Sequence, residues 1–220
     1  MNTKSHLPRF LFLRSLVLLS LFLLPFSCAT PGLGTYTLRL TDVRLEPASI
    51  QEVSAQTTNR EVDGKTIYSF EDENIKIDWV LSNTRFHFTL TNTSEHFIRI
   101  PWDEAVYVDQ NGKARRVIHD GIAFERKGEP QPFTVVPQGA RIDDFLLPVD
   151  NIVAENKNYV SWTVVYLFFN RQQNVGQEVK LVLPVMLSNS RCDYVFTFTV
   201  AQWKDDVKKR SRFLWGREGA

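Results

Sequence analysis

The run Val179-Lys180-Leu181-Val182-Leu183-Pro184-Val185-Met186-Leu187, followed after a polar break by Tyr194-Val195-Phe196-Thr197-Phe198-Thr199-Val200, decides the fold class. Val179, Leu181, Leu183, Val185 and Leu187 fall on every second position, as do Tyr194, Phe196, Phe198 and Val200. That is the period of a strand with one buried face. Working outward, Val160, Trp162, Val164, Tyr166 and Phe168 read as another long alternating strand. Towards the N-terminus, Phe86, Phe88 and Leu90 face one way while Arg85, His87 and Thr89 face the other, and Ile75, Ile77 and Trp79 alternate before them. Tyr36, Leu38 and Leu40 change phase to Val43 and Leu45, which predicts a bulge near Thr41-Asp42. No helical period of ten or more residues occurs before Gln202.

The breaks carry turn chemistry. Asn111-Gly112 between Val106-Tyr107-Val108 and Arg116-Val117-Ile118 is the strongest hairpin signal, because both residues tolerate positive φ. Asp63-Gly64, Ser82-Asn83 and Asn92-Thr93-Ser94 punctuate the chain in the same way. The polar stretch from Glu46 to Thr58 has no pattern and reads as a long loop. Eight or nine short strands with turns between them predict a single antiparallel β-sandwich, immunoglobulin-like, over residues 35–200.

Composition agrees. The 220 residues are 43% hydrophobic and 23% charged, which excludes disordered, collagen-like and coiled-coil chains. Sixteen Phe, five Trp and six Tyr against two Met favour a pleated, half-buried surface. Two cysteines are too few for a disulfide-dense scaffold or a four-cysteine zinc site. The formal charge of +1 hides three segments. Residues 1–27 hold Lys4, Arg9 and Arg14 and no acid, so they carry +3. Residues 201–220 hold six bases and three acids, also +3, which leaves 28–200 with 17 bases and 22 acids, or −5. A body of that sign has no electrostatic footprint for nucleic acid.

The first segment has the anatomy of a signal peptide: the three bases, then Ser15 to Leu24 built only of Leu, Val, Phe and Ser, then Pro25 and the small residues Ser27, Cys28 and Ala29. Ten such residues are too few to span a bilayer core, which takes about 20. An uncleaved anchor is the other reading of this run, opposed by Pro31, Gly32 and Gly34.

Leu24-Pro25-Phe26-Ser27-Cys28 resembles the lipobox of bacterial lipoproteins, with Pro25 where that family usually has Leu and Phe26 larger than usual. The resemblance implies cleavage before Cys28 and acylation of that cysteine, palmitate included, so that residues 28–34 form a tether to the membrane. A cut after Ala29 would instead release a secreted protein. Ala29 behind the cysteine resembles the outer-membrane sorting signal of hosts with two membranes. A second resemblance runs from about residue 70 to 200. Phe88-Thr89-Leu90-Thr91-Asn92, Ile100-Pro101-Trp102-Asp103-Glu104-Ala105-Val106-Tyr107-Val108-Asp109, Arg116-Val117-Ile118-His119-Asp120-Gly121, Pro130-Gln131-Pro132-Phe133 and Pro148-Val149-Asp150-Asn151 are similar to segments of uncharacterised bacterial lipoproteins. That family implies no reaction.

Chemistry-bearing residues are sparse. Asp103, Glu104 and Asp109, and Asp143, Asp144 and Asp150, sit near strand ends, where Ca²⁺ would need several converging oxygens. Asp109-Gln110-Asn111-Gly112 lacks the later ligands of an EF-hand, so these read as solvated turn acids. His119-Asp120 offers a base and an orienter, but adjacent strand residues face opposite ways and no Gly-x-Ser-x-Gly supplies a nucleophile. His87, His96 and His119 are too scattered for zinc. Cys192 reads as a small buried hydrophobe or an intermolecular disulfide partner. Neither a catalytic residue nor a metal or cofactor is expected.

The tail has more character. Trp203, Val207 and Leu214 share one side of a helix, with Asp205-Asp206 near its start and Lys208-Lys209-Arg210 near its end. Lys208, Lys209, Arg210, Arg212 and Trp215 are the candidate surface-binding residues, for lipid phosphates or an acidic envelope partner. The expectation is a lipid-anchored envelope protein that binds or scaffolds rather than catalyses. Its alternatives are an assembly component of an envelope complex and a secreted hydrolase or metal-dependent enzyme.

Overall fold

A computed structural model of the protein describes residues 34–46, 56–155, 161–168, 174–188 and 190–205. The signal peptide at 1–27, Cys28, most of the tether, and the tail residues Lys208, Lys209, Arg210, Arg212 and Trp215 lie outside them. The described residues form an all-β, antiparallel structure. In chain order the strands are β1 (Gly34–Glu46), β2 (Gln56–Val62), β3 (Lys65–Glu71), β4 (Ile75–Leu81), β5 (Phe86–Asn92), β6 (Ile98–Ile100), β7 (Val106–Val108), β8 (Ala114–Ile118), β9 (Thr134–Val136), β10 (Arg141–Pro148), β11 (Ile152–Ala154), β12 (Trp162–Val164), β13 (Glu178–Leu187) and β14 (Ser190–Asp205).

Ten of them run side by side as β1-β14-β13-β7-β8-β10-β5-β4-β3-β2, with β6 pairing β13 and β9, and β11–β12 standing apart as a small ribbon. The expected sandwich of eight or nine strands is thus one continuous path of more strands. β8 carries the continuity: Ala114 to Arg116 pair with β7, whereas Val117 and Ile118 pair with Pro148 and Leu147 of β10. A strand that changes partners part-way bends the path at that point.

The path curls. Five strands separate β14 from β4 along it, yet the Trp79 ring of β4 lies 5.0 Å from Phe196 and 5.4 Å from Phe198 of β14. Phe70 of β3 meets Tyr194 and Phe196 edge-on at 5.9 Å. These rings and the alternating Ile75, Ile77, Phe86, Phe88, Leu90, Leu181, Leu183 and Val185 make one buried core. Edge-to-face geometry suits the ring quadrupoles, so aromatic residues fill the space between facing strands well.

The turns form as their sequences dictate. Asp63 and Gly64 both take positive φ, 50° and 72°, and close the β2–β3 hairpin. Gly112 at φ 77° closes β7–β8, where Asp109 Oδ1 accepts the N–H groups of Asn111 and Lys113 at 2.9 Å. The bulge in β1 falls where the phase change put it. Leu40 pairs with Phe198 and Asp42 with Thr197, which leaves Thr41 extra, its hydroxyl 2.9 Å from that of Thr199.

Three expectations differ. The long strand from Val160 to Phe168 is reduced to Trp162–Val164 in the described residues, and Leu167 and Phe168 continue beyond it into the core without strand pairing. Residues 56–58 of the expected loop belong to β2, whose seven side chains are all exposed, so no apolar period marks it. β14 does not stop at Val200. It runs on to Asp205, and Trp203 pairs with Tyr36 rather than starting a helix. At that end Gly34, the first residue of β1, lies opposite Asp205, the last of β14.

Candidate functional site

The register of β3, β4, β5 and β10 lines up outward-facing side chains in rungs across the sheet. Ile67, Val80, His87 and Phe145 are mutual partners in one rung, and Ser69, Asp78, Thr89 and Asp143 in the next. Their strand neighbours Phe70, Ile77, Trp79, Phe88 and Leu90 are buried in the core, so alternation turns these eight outward. A groove of about 550 Å³ lies over the two rungs, with Arg60 of β2 and Arg85 at its sides and Asp120 and Asp144 at its β10 end.

The polar rung is internally bonded. Ser69 donates to Asp78 Oδ1 at 2.6 Å, Arg60 donates to Asp78 Oδ2 and to Ser69 Oγ at 2.8 Å, and Thr89 donates to Asp143 Oδ1 at 2.6 Å. Burial pushes the Asp78 carboxyl up, but Arg60 and Ser69 outweigh it and hold it below the ordinary carboxylate value. In the apolar rung the Arg85 guanidinium lies 4.7 Å over the Phe145 ring. Burial, helped by Arg85, pushes the His87 imidazole below its ordinary value, so this ring is neutral at neutral pH.

Behind the groove, at the β8–β10 seam, stands a second polar cluster. His119 and Asp120 do not pair with each other. His119 Nδ1 lies 3.1 Å from Asp144 Oδ2, and the N–H groups of Asp120 and Phe145 donate to Asp144 Oδ1 at 2.7 Å. The His119 ring stacks on Trp102 at 4.4 Å and 16°, and Trp102 Nε1 donates to Thr134 Oγ1 at 2.8 Å. His119 Nε2 is buried without a hydrogen-bond partner among the described residues. Asp144 sits in register with Phe88 and also lines the β10 end of the groove, so the pair stands between the groove and the core.

The other candidate acids are spread among ion pairs. Asp109 and Asp150 share Arg115, Asp103 holds Arg116, and Glu104 meets Arg191. Among the described residues no three His, Cys, Asp or Glu side chains are placed to hold a metal. His87 stands on β5 and His119 just after β8, and the backbone carbonyl of His96 accepts from Asn92 Nδ2 and Ser94 Oγ. Cys192 is fully buried opposite Val185, and burial pushes its thiol up to about 11. Native protein at pH 8 therefore leaves Cys192 unmodified by a thiol reagent over minutes, whereas denatured protein reacts completely. Equal rates in both states would contradict the buried placement.

Sequence reading missed Arg60, Asp78, Arg85, Thr89 and Phe145 as a group. Each is an ordinary outward strand residue, and only strand pairing places them together. Comparison of the chain with protein-family models, with curated proteins and with solved structures gives no match.

Proposed function

We propose that the chain is a lipid-anchored protein of the bacterial cell envelope whose β domain is a non-enzymatic binding or scaffolding module. Residues 1–27 direct export, Cys28 becomes the acylated N-terminus, and the curled sheet serves as an immunoglobulin-like sandwich, a reading supported by Trp79 facing Phe196 and Phe198 across it. The outer membrane is the destination in a host with two membranes.

The observation that carries this reading is the pairing of Gly34 with Asp205. Gly34, to which five residues connect Cys28, and Asp205, from which the basic tail continues, pair at one end of the sheet. The lipobox resemblance implies a diacylglyceryl cysteine, whose two chains already anchor stably, and a basic segment is a further signal that adds to such binding. Lys208, Lys209, Arg210 and Arg212 supply such a signal, each contributing about 1 kcal/mol near an anionic surface, and Trp215 suits the interface.

Mass spectrometry of the mature protein and membrane fractionation test this together. The expected results are an acylated Cys28 at the N-terminus and transfer of Cys28→Ala protein from the membrane to the soluble fraction. Alanine at Lys208, Lys209, Arg210 and Arg212 in the Cys28→Ala background is expected to lower residual binding to phosphatidylglycerol vesicles. An unmodified N-terminus after Ala29 would overturn the anchoring.

A further inference from the structure

We propose that the groove over β3, β4, β5 and β10 binds a neutral, linear, polyhydroxylated ligand, an oligosaccharide of pyranose rings. The inference rests on reading the domain as a binding module, and it names what that module binds.

Three features of the two rungs set the ligand class. Ile67, Val80 and the neutral His87 ring form a stripe that crosses the strands and ends on Phe145, whose ring carries the Arg85 guanidinium on one face. Such a stripe accepts the C–H faces of a chain lying across it. Beside it stand acceptors and donors still open to a ligand. Thr89 occupies Asp143 Oδ1 only, and no cation pairs with Asp143 among the described residues. Arg85 packs its guanidinium on Phe145 and makes no side-chain hydrogen bond or ion pair there. Hydroxyl groups both donate and accept, so they can satisfy a carboxylate oxygen and a guanidinium N–H along one edge of the same stripe.

Charge removes the other classes. An anionic ligand would meet Asp78, Asp120, Asp143 and Asp144, and a cationic one would meet the guanidiniums of Arg60 and Arg85. A peptide added as a strand needs a free sheet edge, whereas β4 and β5 are paired on both sides. A metal-bridged ligand lacks a ligand cluster among the described residues. Size agrees as well. The volume of about 550 Å³ is that of a small-molecule site, and β4 to β10 spans two strand spacings, about 10 Å, room for about two sugar rings.

Titration calorimetry on the purified full chain in detergent tests this with cellohexaose and chitohexaose, which separate plain from N-acetylated sugars. Saturable binding of either one is expected. Asp143→Ala and Arg85→Ala each remove one polar contact at an outward position, and each is expected to weaken binding about tenfold with an unchanged thermal midpoint. No binding of either sugar, wild-type affinity in both variants, or tighter binding of spermidine or a sulfated oligosaccharide would overturn the proposal. Sugar recovered intact supports it. Sugar recovered shortened also supports the site, and overturns the non-enzymatic reading instead. Failure of Cys28 acylation overturns the anchoring and leaves this result untouched.

Discussion

Trp79→Ala lowers the stability of the β domain by about 3–5 kcal/mol, a large part of the 5–15 kcal/mol of an ordinary domain. Trp79 is fully buried and touches Phe88 of neighbouring β5 and Phe196 and Phe198 of β14 across the curl. Truncation removes one of the largest fully buried side chains from between facing strands of the curled sheet. The facing strands cannot close the gap, because each is held in register by neighbours on both sides. A fall of roughly 10 °C in the thermal midpoint is expected for a domain of this size. Trp79→Phe is the informative control. Trp79 Nε1 is buried without a partner among the described residues, so removing that N–H offsets part of the lost area and limits the change to about 1 kcal/mol. Denaturant unfolding checks both variants. A Trp79→Ala protein within about 1 kcal/mol of wild type would mean that β4 and β14 do not meet at this ring.

Asp144→Ala is the second large effect, about 3 kcal/mol. The carboxylate accepts from His119 Nδ1 and from the N–H groups of Asp120 and Phe145, and alanine leaves all three donors without it. The place is sensitive because the seam between β8 and β10 consists of only two residue pairs, Leu147 with Ile118 and Pro148 with Val117. Pro148 has no N–H to give, so side-chain bonds beside the seam carry more of the closure. Asp144→Asn keeps an oxygen for the two backbone N–H groups and turns an amide towards His119. It is expected to cost about 1 kcal/mol. Hydrogen exchange gives the specific readout: amides of β8 and β10 should lose protection in Asp144→Ala before those of the β13–β14 hairpin do. Uniform loss across all strands would assign Asp144 no special part in the seam.

Much of the fold was legible because strands that bury one face announce it. Val179 to Leu187 and Tyr194 to Val200 alternate without a break, and both are strands. Asp63-Gly64 and Asn111-Gly112 marked hairpins because positive φ, taken by Asp63, Gly64 and Gly112 but not Asn111, selects few residues. The phase change at Thr41-Asp42 marked a bulge because an extra residue turns every later side chain to the other face. β2 was illegible for the converse reason, since an edge strand exposed on both faces has no period. Residues 201–205 show the limit of spacing alone. Trp203 fits a helical spacing with Val207, yet pairing with β1 holds it extended.

The groove and the seam were not legible. His119 stands next to Asp120 in the chain, but its partner is Asp144, 25 residues away. Arg60, Asp78, Thr89 and Asp143 come from four strands, and each alone is a polar residue on a wet face. Their alignment depends on register, which a one-residue slip would destroy.

The amino-acid sequence by itself determined the class of structure, the positions of the tight turns, the charge of each segment and the resemblance of Leu24 to Cys28 to a lipobox, because these depend on neighbours along the chain. The tertiary structure decided which strands pair, that the sheet curls through β8 so that Trp79 meets Phe196, that Gly34 lies opposite Asp205, and that two rungs of side chains share one groove. Those outcomes depend on long-range hydrogen bonding and on packing between layers, whose cost and gain are set by residues far apart in the chain and leave no local mark on it.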